Sequence, residues 1–310
     1  MEGNYIDRLK TKFKREKTKN LLFYIVILAF PISQFLVFYV GVNFNSILLA
    51  FRGYDIDQGK FYWNGLDNFV KVFNDFQDMA LFEIAFKNSI IAFMFGLLFG
   101  ILFGLLFSYY IYKKLFGHKL FKVVLFIPSI VSSIVMVTIF MQFVESGIPN
   151  IIEQIFNIRI MGLLANSDLT FTTILFYNVW IGFGVSTLLY VGAMNSINIS
   201  IIESAQIDGV NTIQEFRHII MPLIWPTFTQ FVVVSVGAIF MNQLSLYAFY
   251  GQGAEVRLYS FGYFLYKEVI VAANVDLPYL ATIGIILTFI TVPITLVIKW
   301  ALQKYGPSTE

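Results

Sequence analysis

The 310-residue chain has no cysteine, which excludes disulfides, thiolate metal sites and cysteine nucleophiles and leaves the redox compartment unread. Histidine is almost as scarce: the 2 that occur, His118 and His218, both fall between apolar runs. Charge is the third shortage. Asp, Glu, Lys and Arg make up 13% of the residues, against about 25% in an ordinary soluble domain. The G-x-x-x-x-G-K-[ST] phosphate cradle is missing, so any ATPase acting with this chain is a separate polypeptide. No clustered acid, base, nucleophile or metal set stands out, so no catalytic residue and no metal ligand is assigned.

What is abundant is apolar surface. Hydrophobic residues make up 58% of the chain, with 35 Phe and 17 Tyr, and the mean hydropathy is +0.74. That leaves too little polar surface to coat a soluble globule, whereas lipid-facing and interfacial positions accommodate the aromatic excess. Six long runs predict an all-α, polytopic membrane protein: Leu21 to Val42, Ser89 to Tyr112, Leu120 to Val144, Thr170 to Met194, Thr227 to Phe249 and Pro278 to Trp300. Each is long enough to cross roughly 30 Å of hydrocarbon as a helix. By this reading none holds Asp, Glu, Lys, Arg or His in its interior. Ion-driven carriers usually bind the coupling ion through such a group, so the energy source is expected outside the chain. Sodium held by hydroxyl and backbone oxygens remains open.

The first run follows Arg8, Lys10, Lys12, Lys14, Arg15, Lys17 and Lys19 but exceeds a signal-peptide core, and no small-x-small site follows it. It reads as a retained anchor. Tyr5, Ile6, Leu9 and Phe13 share one helical face, which fits either an interfacial helix on an anionic leaflet or a disordered basic tail. Two thirds of the 21 Lys and Arg fall in the tail and in the loops on the tail's side of the spans, so the positive-inside rule puts both termini in the cytoplasm. Gly96, Gly100 and Gly104 repeat at four-residue spacing, predicting close helix packing, and Pro31, Pro128 and Pro293 predict kinks.

Between the fourth and fifth runs the residues read helix, break, helix, stop. Glu203 to Asp208 forms a short helix, Gly209 supplies a left-handed exit, Thr212 and Glu215 make a capping box, and Pro222 ends the second helix. Ala205, Ile207, Val210, Ile213 and Phe216 are then available to a partner's groove, or to the chain's own bundle if this is an ordinary packed loop. An amide within a span needs a partner, either a neighbouring helix or a hydroxyl-rich ligand. Asn178, Asn242 and Gln243 are the candidates, with Trp180 and Tyr247 as aromatic stacking platforms beside them.

The segment Glu203-Ser-Ala-Gln-Ile-Asp-Gly209, followed by Ile219-Ile-Met-Pro222, resembles the E-A-A-x-x-x-G…I-x-L-P signature of binding-protein-dependent ABC importer permeases. Ser204 stands in for an Ala and Met221 for a Leu, both small departures. Trp63-Asn-Gly-Leu-Asp-Asn-Phe69, Lys87-Asn-Ser89, Phe121 to Pro128, Gly147-x-x-Asn150 and Gly251-Gln-Gly253 resemble the carbohydrate branch, in particular its maltose-importer-like first permease. The resemblance implies a type I permease fold whose coupling helix, at Glu203, Ser204, Ala205, Asp208, Gly209 and Pro222, docks on an ATPase subunit. It divides the chain into a basic segment (1–20), a first span with its loop (21–84), a permease domain (85–303) and a tail (304–310). It places sugar contacts at Asn178, Ile181, Gly182, Val185, Ser235, Ala238, Ile239 and Asn242; the residues at Val185, Ala238 and Ile239 depart from the family's aromatic or amide character.

The implied function is import of a carbohydrate, such as an oligosaccharide, across the cytoplasmic or inner membrane of a bacterium or archaeon. The implied partners are a second homologous permease, two ATP-binding cassette ATPase subunits that bind ATP and Mg, and an extracytoplasmic solute-binding protein. No cofactor is expected in this chain, and no nucleic acid. Import of another solute such as glycerol phosphate, or a carrier working alone, are the alternatives.

Overall fold

The computed structural model describes residues 2–307, with side chains from 17 to 307. The predicted face of Tyr5, Ile6, Leu9 and Phe13 and the cations before Lys17 lie outside the described side chains.

The chain is almost wholly helical. α1 (Glu2–Gln34) runs through a π-helical turn into α2 (Val42–Leu49); a hairpin of β1 (Arg52–Asp55) and β2 (Lys60–Trp63) and helix α3 (Asp67–Asp78) follow. Then come α4 (Ala80–Tyr112), α5 (His118–Ile130), α6 (Ser133–Gln142), α7 (Ile148–Phe156), α8 (Ser167–Asn195), α9 (Ile199–Ile207) and α10 (Thr212–Glu215). The last elements are α11 (Met221–Leu223), α12 (Trp225–Gly237), α13 (Leu246–Tyr250), α14 (Phe261–Val271) and α15 (Leu277–Tyr305). Among the described residues five helical stretches are long and apolar enough to cross a membrane, or six if the bent pair around Ile224 counts as one span.

The backbone divides into two compact units. The first comprises Met1–Lys71 and Ala273–Ile285. Here the motif around Gly65 has a local explanation: the Asn68 amide donates to Ala50 O (2.9 Å) and Arg52 O (2.7 Å), and Phe69 packs on Phe51. The Thr282 hydroxyl, fully buried, donates to Ala50 O at 3.2 Å. Apolar side chains from Leu21 to Phe44 lie exposed along the first helical stretch, as a lipid-facing span requires.

The second unit comprises Val72–Ala272 and Ile286–Glu310 and is built on the pairing of α4 with α8. The predicted packing stripe on α4 is only partly a packing stripe. A Cβ on Gly104 would meet Ser186 Oγ at 3.2 Å, whereas one on Gly96 or Gly100 would meet nothing within 4 Å. Along this stripe close helix contact is therefore found at Gly104, and the other two glycines widen a cavity. The tightest approach is elsewhere: a Cβ on Gly184 of α8 would collide with Leu125 O of α5, so only glycine lets these backbones meet. The Lys87-Asn-Ser89 motif ties α4 to the turn before α14, because Asn88 Nδ2 donates to Arg257 O and Tyr259 O, both at 2.9 Å, and Ser89 Oγ accepts from Phe261 N at 3.0 Å.

Two predicted spans are not continuous. The third run is divided between α5 and α6 by the extended residues Val131 and Ser132. Pro128 removes a helical donor just before the break, and the span-length piece is Ser133–Phe156. This offset brings Glu145 and Glu153 into the stretch, correcting the expectation that no span holds Asp, Glu, Lys, Arg or His in its interior; the Glu145 carboxylate accepts from Leu164 N (2.6 Å) and Ala165 N (3.1 Å). The fifth run is also broken. α12 stops at Gly237, residues 238–245 turn, and α13 resumes at Leu246. Apolar run length is blind to such breaks, because Asn and Ser side chains offer the backbone local partners that compete with the helix ladder.

Candidate functional site

Two sites emerge in the second unit. The first is a cavity of about 290 Å³ between α4, α8 and the broken fifth span. α4 contributes Ala92, Gly96, Leu97 and Gly100; α8 contributes Asn178, Gly182, Phe183, Val185, Ser186 and Tyr190; the fifth span contributes Phe231, Ser235, Asn242 and Leu244. An adjoining cavity of about 230 Å³ shares Gly96, Ser235 and Asn242 and adds Ala238 and Ile239. No Lys, Arg, His, Asp or Glu lines either cavity among the described residues.

Of the sequence-predicted contacts, Asn178, Gly182, Val185, Ser235 and Asn242 meet at the larger cavity, and Ala238 and Ile239 at its neighbour. Trp180 and Ile181 do not join them. They face the other way on α8, packed on a cluster of Val137, Phe140, Tyr177 and Phe249, because a helix turns each successive residue by about 100°. Gln243 and Tyr247 line neither cavity; Tyr247 packs edge-on against Tyr266 instead. Sequence reasoning missed Gly96, Gly100 and Tyr190. For the glycines the four-residue spacing was visible, but it signals packing and void equally. Tyr190, 1% exposed, has a hydroxyl with no hydrogen-bond partner among the described residues.

The polar geometry explains the break in the fifth span. Asn178 Nδ2 donates to Ile174 O (2.8 Å) and Leu244 O (2.9 Å), while its Oδ1 accepts from Ser245 Oγ (3.0 Å). Leu244 and Ser245 both adopt left-handed backbone angles, with φ of 53° and 55°, which cost energy for side chains other than glycine. Asn242 Oδ1 accepts from Leu244 N at 2.9 Å, and Ser260 Oγ donates to Asn242 O at 2.7 Å. Asn178 is thus committed to holding the turn, whereas the Asn242 amide nitrogen remains free among the described residues at the cavity wall. At the turn before α14, Arg257 Nη1 donates to Ser167 O at 2.6 Å, and the exposed Glu255 carboxyl is held below the usual carboxylate range, chiefly by its hydrogen bond from Arg257.

The second site is the hairpin α9–α10. Asn198 caps α9 by accepting from Ser200 N at 3.1 Å. Gly209 closes it with φ of 80°, donating to Gln206 O while Val210 N reaches back to Ala205 O. The start of α10 differs from expectation. Asn211, not Thr212, is the cap, accepting from Ile213 N and Gln214 N while the Gln214 side chain accepts from Asn211 N. Glu215 is thereby released from capping. It is 2% exposed and accepts from Lys113 Nζ at 3.0 Å through both carboxylate oxygens.

Pro222 does not end the helix, because near the start of α11 its missing N–H costs little. The helical path instead breaks at Ile224 with a 70° bend. Of the five apolar residues expected to face a partner, Ala205 and Phe216 pack inward, Val210 is half-buried, and only Ile207 (86% exposed) and Ile213 (78% exposed) project. Glu203, Ser204, Asp208 and Gly209 are exposed beside them. Beneath lies a core of Leu105, Tyr190, Met194, Ile202, Ile220 and Ile224, so the hairpin is fixed to α4 and α8.

The family described as binding-protein-dependent transport system inner membrane component matches residues 96–309. The polygalacturonan/rhamnogalacturonan transport system permease protein YteP of Bacillus subtilis (strain 168) is 24% identical over 237 residues, covering 73% of this chain and 73% of its own length. The sn-glycerol-3-phosphate transport system permease protein UgpA of Yersinia pestis is 26% identical over 235 residues, 75% of this chain and 78% of its own. A chain in the crystal structure of a bacterial ABC transporter that imports the acidic polysaccharide alginate has the same fold: TM-score 0.77 at 22% identity, over 95% of this chain and 99% of that one. The match spans α8, the hairpin and the broken fifth span, and so includes every residue of both sites except Ala92 and Phe93 of α4. This chain belongs to the family of binding-protein-dependent transport system inner membrane components: it is a multi-pass ABC importer permease, a transport subunit rather than an enzyme, in the branch that holds the oligosaccharide permeases.

Proposed function

We propose that the chain is one of two permeases in an importer that carries an uncharged oligosaccharide, delivered by an extracytoplasmic solute-binding protein, through the cavity between α4, α8 and the broken fifth span. The observation that carries this reading is the wall of that cavity: apolar side chains and glycines set with the hydroxyls of Ser186, Tyr190 and Ser235 and the amides of Asn178 and Asn242, with no Lys, Arg, His, Asp or Glu among the described residues. A sugar presents apolar faces and a rim of hydroxyls. Ser235, the free Asn242 amide and the unpartnered Tyr190 hydroxyl match such a rim. A glycerol phosphate would instead call for a basic side chain, which sets this chain's expected substrate apart from that of UgpA.

Both termini and the α9–α10 hairpin face the cytoplasm, where Ile207 and Ile213 enter a groove on an ATPase subunit and Glu203 and Asp208 make charge-assisted hydrogen bonds at its rim. Two such ATPases bind ATP and Mg; their closure moves the hairpin and turns the cavity outward.

Reconstitution of the chain with its second permease, ATPases and binding protein tests this. Neutral oligosaccharides should raise ATP hydrolysis and be taken up, while glycerol phosphate should do neither. Asn242→Ala should lower uptake about tenfold through loss of a hydrogen bond worth about 1 kcal/mol or more. Uptake by the chain alone, without ATPases, would favour a carrier and refute the reading.

A further inference from the structure

The hairpin continues from α8 through only residues 196–198, but it has no chain connection to α4 nearer than the loops and helices between them. Yet α4 carries Gly96 and Gly100, which shape the cavity, and it continues unbroken from there to Tyr112 as part of one 33-residue helix, Ala80–Tyr112. From Gly100 to Lys113 is about 20 Å of helix, so whatever grips the Lys113 end moves the cavity wall. We propose that Glu215, Lys113 and Tyr109 form a clamp that transmits displacement of the hairpin to α4. The proposal rests on the hairpin being the ATPase-docking element.

Three features set this contact apart. Glu215 belongs to α10, the helix directly after the Gly209 turn, and its carboxylate takes two hydrogen bonds from Lys113 Nζ, each 3.0 Å. The Tyr109 hydroxyl, one helical turn before Lys113, lies 3.1 Å from both Glu215 Oε1 and Thr212 O, so α4 holds the hairpin's backbone as well as its carboxylate. The Tyr109 ring also packs on Phe216 at 4.9 Å between centroids. Glu215 of this pair is buried and Lys113 partly so, with side-chain exposures of 3% and 23%, whereas the Arg159–Glu153 and Arg257–Glu255 pairs lie more open to the surroundings on single local segments. A buried pair adds little net stability over a well-packed apolar pair, but it fixes one geometry and resists sliding. That is the property a transmitting joint needs: the apolar packing of Tyr112, Phe216 and Ile219 on the core beneath would hold the elements together while allowing slip.

Glu215, Lys113 and Tyr109 are positioning residues, since none lines the cavity or the exposed hairpin surface. The test is the ratio of sugar transported to ATP hydrolysed in the reconstituted importer, measured for wild type, Glu215→Gln, the apolar pair Lys113→Met with Glu215→Leu, and the charge swap Lys113→Glu with Glu215→Lys. Glu215→Gln preserves volume and capping, so it reports on the clamp even if the apolar pair assembles poorly. The apolar pair and Glu215→Gln should lower the ratio about tenfold, within the usual range of coupling energies, while ATPase association stays intact, and the swap should recover most of it. Wild-type ratios in Glu215→Gln, or a swap no better than Glu215→Gln, would overturn the clamp. Failure of the wild-type complex to couple hydrolysis to sugar uptake would overturn the functional reading beneath it.

Discussion

Asn178 and Asn242 looked alike in the sequence, two amides stranded in apolar runs, and the structure gives them different work. Asn178 spends both amide hydrogens on backbone carbonyls and its oxygen on Ser245, stapling a turn that carries two strained left-handed residues. Replacing it by Ala should destabilise the chain by about 1–3 kcal/mol, because Leu244 O and the Ser245 hydroxyl lose buried partners. Thermal unfolding of the detergent-purified importer should show a lower Tm for Asn178→Ala than for Asn242→Ala. The reverse order would mean that Asn242 is the structural member of the pair. Glu215 teaches the same lesson: its spacing from Thr212 matched a capping box, but Asn211 one residue earlier makes a better cap, and the carboxylate is left to Lys113. Local spacing names a set of possible partners; the residue that arrives from 102 positions away decides among them.

At the level of the element, the glycines of α4 separate packing from function within one helix. A Cβ on Gly100 would meet nothing within 4 Å, so Gly100→Leu should start into open space, leave the helix unstrained and even favour it by up to about 1 kcal/mol. It should nonetheless block uptake by filling the cavity. Gly104→Leu should do the opposite of a clean block, forcing the Ser186 contact apart and costing roughly 1–3 kcal/mol in stability. Expression and Tm beside uptake rate distinguish the two; equal destabilisation would contradict the division of the stripe. The broken fifth span belongs to the same scale. Non-helical backbone at membrane depth is tolerated where protein buries it or where it lines a cavity. Residues 238–245 satisfy both conditions through Asn178, Ser260 and the cavity wall.

For the whole molecule, the absence of cysteine makes the proposed orientation directly measurable. A single Cys at Gln58, in the turn of the β hairpin, should react with a membrane-impermeant maleimide added to intact cells or spheroplasts, and one at Ser204 should react only after permeabilisation. Labelling in the opposite sense would invert the importer and detach the hairpin from any cytoplasmic ATPase. The sequence by itself determined that this is a membrane-spanning helical protein with a helix–turn–helix between its fourth and fifth apolar runs. Those features depend on run length, charge placement and local stops such as Gly209, all of which are written along the chain. Only the tertiary structure decided which face of α8 meets the cavity, which glycines are voids, where the third and fifth spans break and what Glu215 binds. Each of these depends on a neighbour brought in from a distant segment, and hydropathy along one segment carries no record of what packs against it.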